Sequence, residues 1–121
     1  MNKGNEMALS EFEIKRIEKI VGGFVERIRP PMEKRSQRDI SYRIENQNVE
    51  IFEVRPKWND PSTKIEPPVA KATFVKSRKM WKLYWMREDM KWHCYEPFPE
   101  ARNLEEILST IGEDVHGCFW G

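Results

Sequence analysis

The sequence predicts an α+β domain in which an N-terminal helix packs on a curved, five-stranded antiparallel meander, followed by a short C-terminal helix and a tail. Three observations support this fold class. Apolar residues recur every three or four positions before residue 30, and they alternate with polar residues in five later runs. Most of these runs are joined by only a few residues. Helices and strands have these two periods, and short connections join antiparallel strands because a parallel pair needs a long crossover.

The first helix has a clear beginning and end. Ser10 and Glu13 form a capping box, in which each side chain can bind the other residue's backbone N–H. Pro30 and Pro31 end the helix because proline lacks a backbone N–H. Gly22 and Gly23 interrupt it, and we expect a small-residue patch against the sheet rather than a hinge. One apolar face is predicted from Ile14, Ile17, Val21, Phe24, Val25 and Ile28.

The remaining elements follow in order. The first strand begins at Asp39, and four more are predicted over residues 49–55, 69–76, 80–87 and 91–96. Residues 56–68 contain four prolines and are predicted to form a loop, with Trp58 packed back onto the body. Asn103 is the predicted cap of the last helix and Gly112 its stop. A cystatin-like helix-on-sheet arrangement is one topology compatible with this order.

Alternation along the strands separates two faces of the sheet. The predicted core face carries Phe52, Val54, Ala70, Ala72, Phe74, Trp81, Leu83, Trp85, Trp92 and Cys94. The opposite face mixes cations with aromatic rings, and its candidate binding residues are Arg55, Lys71, Lys82, Tyr84, His93 and Tyr95. Such a face suits a polar ligand, a protein partner or single-stranded nucleic acid. The alternative interpretation is an ordinary solvated surface with no ligand. For nucleic acid, the basic turn at Lys76, Arg78 and Lys79 would add phosphate contacts.

Length and composition limit the class of protein. A chain of 121 residues is expected to form one domain, over residues 9–121. Its net charge of +1 predicts no overall electrostatic attraction to DNA or membranes. Residues 1–8 are expected to be a disordered tail. No apolar run is long enough to cross a bilayer, and Met1–Ser10 lacks the apolar core of a secretory signal. With only two cysteines, the sequence favours the cytoplasm.

Two chemical alternatives remain open. His93, Cys94, His116 and Cys118 are possible zinc ligands, but adjacent strand residues point to opposite faces and no CxxC pair exists. His93, or His116 with Cys118, could serve a small enzyme, although a tail that folds back on Phe119 and Trp120 explains the same residues. We therefore predict no metal, no cofactor and no assigned catalytic residue.

Several long strings resemble one known family. They are VEIFEVRPKW at residues 49–58, PVAKATFVKSRKMWKLYWMREDMKWHCYEPFPE at 68–100 and GCFWG at 117–121. These strings resemble the bacterial family catalogued as domain of unknown function 3024, and the resemblance covers nearly the whole chain. It implies a small, stand-alone bacterial protein without an assigned activity, and it supplies no catalytic or ligand residues. The function is therefore predicted to be non-catalytic binding of a protein or a small polar ligand, with nucleic-acid binding and a small enzyme as the alternatives.

Overall fold

The computed structural model describes residues 9–121, so the tail predicted for residues 1–8 lies outside them. The described chain forms two helices and seven strands. They are α1 (Glu11–Ile28), a 3₁₀ turn (Met32–Lys34), β1 (Asp39–Glu45), β2 (Asn48–Lys57), β3 (Asp60–Ile65), β4 (Pro68–Val75), β5 (Met80–Met86), β6 (Trp92–Cys94), β7 (Glu100–Ala101) and α2 (Leu104–Glu113). Among these residues, no helix has the length and apolar character that a membrane span requires.

Helix α1 begins where the capping box predicts. Ser10 Oγ accepts the Glu13 N–H at 3.1 Å, and Glu13 Oε1 accepts the Ser10 N–H at 2.9 Å. Its apolar face packs against the sheet, burying Ile17, Val21, Phe24 and Val25. A Cβ at Gly22 would lie 3.3 Å from the Tyr42 hydroxyl, so Gly22 occupies the predicted small-residue patch. Gly23 does not, because a Cβ there would meet only the Arg27 guanidinium, at 3.5 Å.

The sheet is antiparallel, with strand order β1-β2-β4-β5-β6. The α+β class and the antiparallel sheet are confirmed, but the structure has seven strands where the sequence predicted five. The loop prediction for residues 56–68 is wrong, because β3 pairs with the end of β2. All six residues of β3 are exposed. A strand without a buried face shows no apolar alternation, so the pattern that reveals other strands was missing here.

Cross-strand register fixes which side chains lie under α1. Val49 pairs with Ala72 and Ile51 with Ala70, and all four are buried in the core. Phe52 therefore points to the opposite face, where the Arg43 guanidinium lies 4.2 Å from its ring centroid. Phe52 is buried as predicted, but on the face away from α1, so the face predicted for Phe52 and Val54 is wrong: the odd-numbered residues of β2 face the helix.

The C-terminal helix and tail close the core. Asn103 caps α2 by accepting the Glu106 N–H at 2.9 Å, as predicted. The predicted stop at Gly112 is wrong, because the helix continues to Glu113 and ends on Asp114 in a left-handed conformation. Phe119 of the tail is buried, with its ring centroid 4.8 Å from that of Tyr95. The predicted fold-back of the tail is confirmed.

Candidate functional site

The sheet face turned away from α1, here called the outer face, carries three of the predicted binding residues. Tyr84 pairs with Lys71, and Lys82 occupies the next outward position of β5. The helix-side face is identified by Tyr42, whose hydroxyl reaches Gly22 of α1. One continuous outer row crosses five strands through Arg43, Glu50, Lys71, Tyr84 and Cys94.

The other three predicted residues do not lie on the outer face. His93 pairs with Trp85, in the row of Ala70 and so on the helix side. Tyr95 is buried, with 2% of its surface exposed. Arg55 lies on the side of Glu53, 3.8 Å from its carboxylate.

The faces predicted for the side chains of the fifth strand, residues 91–96, are wrong, because these side chains lie on the opposite faces. Cys94 pairs with Tyr84 and Trp92 with Met86, so both are on the outer face, and Cys94 is exposed. The register of β6 against β5 is set by the turn between them, where Met90 has a positive φ of 62°. A shift of one residue in register exchanges the two faces of a strand.

The aromatic rings of the outer face are already covered by cations of the same chain. The Lys71 ammonium lies 4.9 Å from the centroid of Tyr84 and 5.3 Å from that of Trp92. The Arg43 guanidinium, which stacks on Phe52, also binds Glu66 at 2.8 Å. A nucleic-acid base that stacked on these rings would have to displace these cations.

The basic turn between β4 and β5 divides into two parts. Arg78 forms a bidentate ion pair with Glu100, with distances of 3.1 and 2.9 Å. Lys76 and Lys79 instead line a cleft that no sequence motif indicated. This cleft lies between the N-terminal half of α1, the β4–β5 turn and the beginning of α2. Its volume is about 360 Å³.

The floor of the cleft is apolar. Trp81, Ile17, Leu9 and Leu104 line it, and all four are buried core residues. Phe74 completes it, with its ring centroid 5.1 Å from that of Trp81. These side chains come from α1 and the residue before its cap, from β4, from β5 and from α2, so the floor exists only in the folded chain.

The rim of the cleft is cationic. Arg16, Lys76, Lys79 and Arg102 line it, against the two carboxylates of Glu13 and Glu105. The side chains of Arg16, Lys79 and Arg102 have no hydrogen-bond or ion-pair partner among the residues that the structure describes. Glu13 is committed to the capping box, and the backbone N–H and hydroxyl of Ser10 hold the pKa of its carboxyl below the ordinary value. The cleft therefore presents net positive charge above an apolar floor, with four cations against two carboxylates.

Lys79 has a strained backbone. Its φ is +52°, in the left-handed region that costs non-glycine residues about 1–2 kcal/mol. Glycine is the residue that adopts this conformation without cost. A lysine here places a cation at the rim of the cleft, which a glycine would not.

The sequence model of the family described as "Domain of unknown function (DUF3024)" matches residues 9–121. The chain belongs to this family. The match covers the whole described domain, from the start of α1 to the last residue of the tail, and confirms the resemblance seen in the sequence. No curated protein and no solved structure matches this chain.

The DUF3024 domain has a second cavity, of about 530 Å³, which gathers the residues considered for catalysis. His93, His116 and Cys118 line it. His93 Nε2 lies 2.8 Å from Asp89 Oδ2, so its ring is oriented by a carboxylate. Cys118 Sγ lies 4.0 Å from the His116 carbonyl oxygen, and burial followed by the Asp114 carboxylate raises the pKa of its thiol.

A raised thiol pKa is the opposite of what a cysteine nucleophile needs. The thiolate is the reactive form, and catalytic cysteines stabilise it with a nearby cation or imidazolium. Among the described residues, no group of three His, Cys, Asp or Glu side chains is placed to hold a metal ion. The second cavity therefore gives less support to a function than the cleft does.

Sequence reasoning missed the cleft because its parts are far apart in the chain. Arg16 comes from a helix, Lys79 from a turn and Arg102 from the residue before a helix cap. One signal was visible: residues 76–79 hold three cations in a turn that normally favours glycine or asparagine. The sequence could not show that Arg78 would be neutralised and Lys79 left free.

Proposed function

We propose that this DUF3024 domain is a non-catalytic binding module whose cleft takes a small organic anion with an apolar portion. One observation carries the proposal: Arg16, Lys79 and Arg102 surround an apolar floor and have no partner among residues 9–121. The site residues that we assign are these three cations with Trp81 and Phe74. They differ from the candidate binding residues that the sequence indicated.

The charge of the rim favours an anion. Three cations that line one cleft repel each other, and a bound carboxylate, sulfonate or phosphate would relieve that repulsion while it gains hydrogen bonds. Arginine suits this role because its planar guanidinium binds two oxygens of one oxyanion at once. Arg16 lies on α1 and Arg102 just before the cap of α2, and the fold brings both to the lining of one cleft.

The size and floor of the cleft favour an apolar portion in the same ligand. A volume of about 360 Å³ is at the lower end of the range for small-molecule sites. Burying apolar ligand surface against Trp81 and Phe74 contributes about 25 cal/mol per Å². A simple inorganic anion would leave this floor exposed, so an aryl or short acyl anion fits better.

A non-catalytic role agrees with the chemistry of the lining. The residues that line the cleft include neither histidine nor cysteine. Glu13, one of the two carboxylates, has a lowered pKa and is a poor proton acceptor. We also propose a cytoplasmic location, supported by two cysteines that are both free thiols.

The test uses anilinonaphthalene sulfonate, an aryl anion whose fluorescence rises in apolar sites. We compare Arg16→Gln/Arg102→Gln with the control Lys15→Gln/Arg27→Gln, which removes the same charge from exposed positions outside the cleft. The cleft variant should bind at least about tenfold more weakly, and the control should bind as the wild type does. Equal affinities of the two double variants, with both folded by circular dichroism, would refute the proposal.

A further inference from the structure

The hairpin formed by the end of β2 and by β3, here called the arm, does not contribute to the packing of the hydrophobic core. It comprises residues 55–65 and pairs with the rest of the sheet only through β2. None of its residues is buried, and none belongs to the hydrophobic core. Its two strands pair at Arg55 with Ile65, at Pro56 with Lys64 and at Lys57 with Asp60, with a register shift between Pro56 and Lys57.

A tryptophan occupies the tip of the arm. Trp58 and Asn59 form the two-residue turn, and 91% of the Trp58 surface is exposed. The expectation that Trp58 packs back onto the body is therefore wrong. An exposed tryptophan costs solubility and here contributes nothing to the core. In interfaces, tryptophan is the type of residue most often found to dominate binding energy.

The net charge around Trp58 is positive. Lys57 precedes it and has no side-chain partner among the described residues, and Lys64 reaches only the carbonyl oxygen of Ser36, at 3.3 Å. The single acid of the arm, Asp60, accepts hydrogen bonds from the hydroxyls of Ser62 and Thr63 at 2.6 Å each and keeps its negative charge. Residues 55–65 remain net positive, because they contain Arg55, Lys57 and Lys64. The arm thus presents an aromatic anchor with positive charge beside it.

We infer that the arm is a protein-docking element that inserts Trp58 into an apolar pocket bordered by acidic side chains of another protein. Two observations favour an acidic-rimmed pocket of a different protein as the binding site of Trp58. The charge beside Trp58 complements an acidic rim, which steers encounter. A second copy of this chain does not offer such a pocket in its cleft, because that rim is cationic too.

The edge of β3 is not the docking surface. Pro61 lies within the strand and cannot donate to an added strand, and proline on an edge strand discourages strand pairing. The partner protein therefore contacts the side chains at the tip of the arm. This surface is separate from the cleft, because no residue of the arm lines it.

The experiment replaces Trp58 with benzoylphenylalanine and irradiates living cells that make the protein. Phe12, 79% exposed on α1, receives the same replacement as the matched control. The inference predicts a protein adduct at position 58 that is missing at position 12. The adduct protein is then identified, purified and titrated.

The identified protein should bind Trp58→Ala at least about tenfold more weakly than the wild type and bind Phe12→Ala unchanged. Lys57→Glu should weaken binding, and the wild-type affinity should fall as salt rises. The inference is overturned by no adduct, by a partner that binds Trp58→Ala equally well, by an adduct sensitive to nuclease, or by an adduct consisting of lipid.

Discussion

Asp114 holds Trp120 in place: its Oδ2 accepts the Trp120 backbone N–H at 2.8 Å, while its Oδ1 accepts that of Phe119 at 3.0 Å. The same residue ends α2 in a left-handed conformation. The indole N–H of Trp120 in turn donates to the Ile111 carbonyl at 2.9 Å. One carboxylate therefore ties the tail to the helix and positions Phe119 over Tyr95.

Replacing Asp114 by alanine should destabilise the protein substantially. The change removes two charge-assisted hydrogen bonds and leaves alanine in a left-handed conformation, so we expect a loss of about 2–4 kcal/mol in the free energy of unfolding. Urea denaturation measures it. Glu113→Ala, at the exposed neighbouring position, is the control and should stay within about 0.5 kcal/mol of the wild type. Equal losses for the two variants would contradict this role of Asp114.

The two glycines of α1 should respond differently to alanine. Gly23→Ala should stabilise by up to about 1 kcal/mol, because alanine favours the helix and the new methyl group would meet only the mobile guanidinium of Arg27. Gly22→Ala should gain less or lose stability, because its methyl group must displace the Tyr42 hydroxyl from 3.3 Å. Thermal unfolding compares them. A larger gain at Gly22 than at Gly23 would show that α1 does not approach β1 this closely.

The Arg29–Asp39 pair should make stability depend on acid pH. Arg29 donates to both oxygens of Asp39, at 3.0 and 2.8 Å, and lowers the pKa of this carboxyl. Because the folded pKa lies below that of the unfolded chain, the stabilisation is present above the unfolded value of about 3.9 and is lost as pH falls through the folded one.

Arg29→Gln should therefore unfold more easily than the wild type at pH 7, and this difference should shrink toward pH 3. Urea titrations at several pH values measure it. Arg27→Gln, on the exposed side of the same helix, should show no such trend. A deficit for Arg29→Gln that is the same at every pH would mean that the ion pair is not its source.

Lys79→Gly separates binding from stability. Glycine relieves the strain at φ +52°, which offsets the extra freedom it gives the unfolded chain, so stability should be unchanged or rise by up to about 1 kcal/mol. The affinity for anilinonaphthalene sulfonate should nevertheless fall, because the rim loses a cation. Asparagine also tolerates this conformation, so Lys79→Asn should show the same effects on stability and on affinity as Lys79→Gly. A variant that keeps its affinity would show that Lys79 has no part in the site.

The sequence predicted the elements that have one buried face. Helix α1 followed from the spacing of Ile17, Val21 and Phe24, and the C-terminal helix from its Asn103 cap. The sequence did not predict which face of a strand is buried where this depends on the register between two strands. Whether His93 or Cys94 faces the core depends on how a turn aligns two strands, and each side chain is compatible with either face.

The candidate site was less predictable than the fold. The sequence contains the cations, but ion pairing decides which of them are available to a ligand. Arg78 is neutralised by Glu100, and Lys71 is held by Tyr84 and Trp92. Lys79 keeps its charge free of any described partner. These pairings join strands and turns distant in the chain, so no local pattern reveals them.

The most direct test of the cleft uses the five tryptophans as separate reporters. Each indole N–H gives one signal in a proton–nitrogen correlation spectrum, and each lies in a different environment. Trp81 is in the floor of the cleft, Trp85 in the second cavity, Trp92 on the outer face, Trp58 at the tip of the arm and Trp120 in the tail. Titration with anilinonaphthalene sulfonate should shift the Trp81 signal first and most, together with the backbone signals of Lys79 and Leu104. A titration that shifts Trp85, Trp92 or Trp58 and leaves Trp81 unmoved would contradict the account.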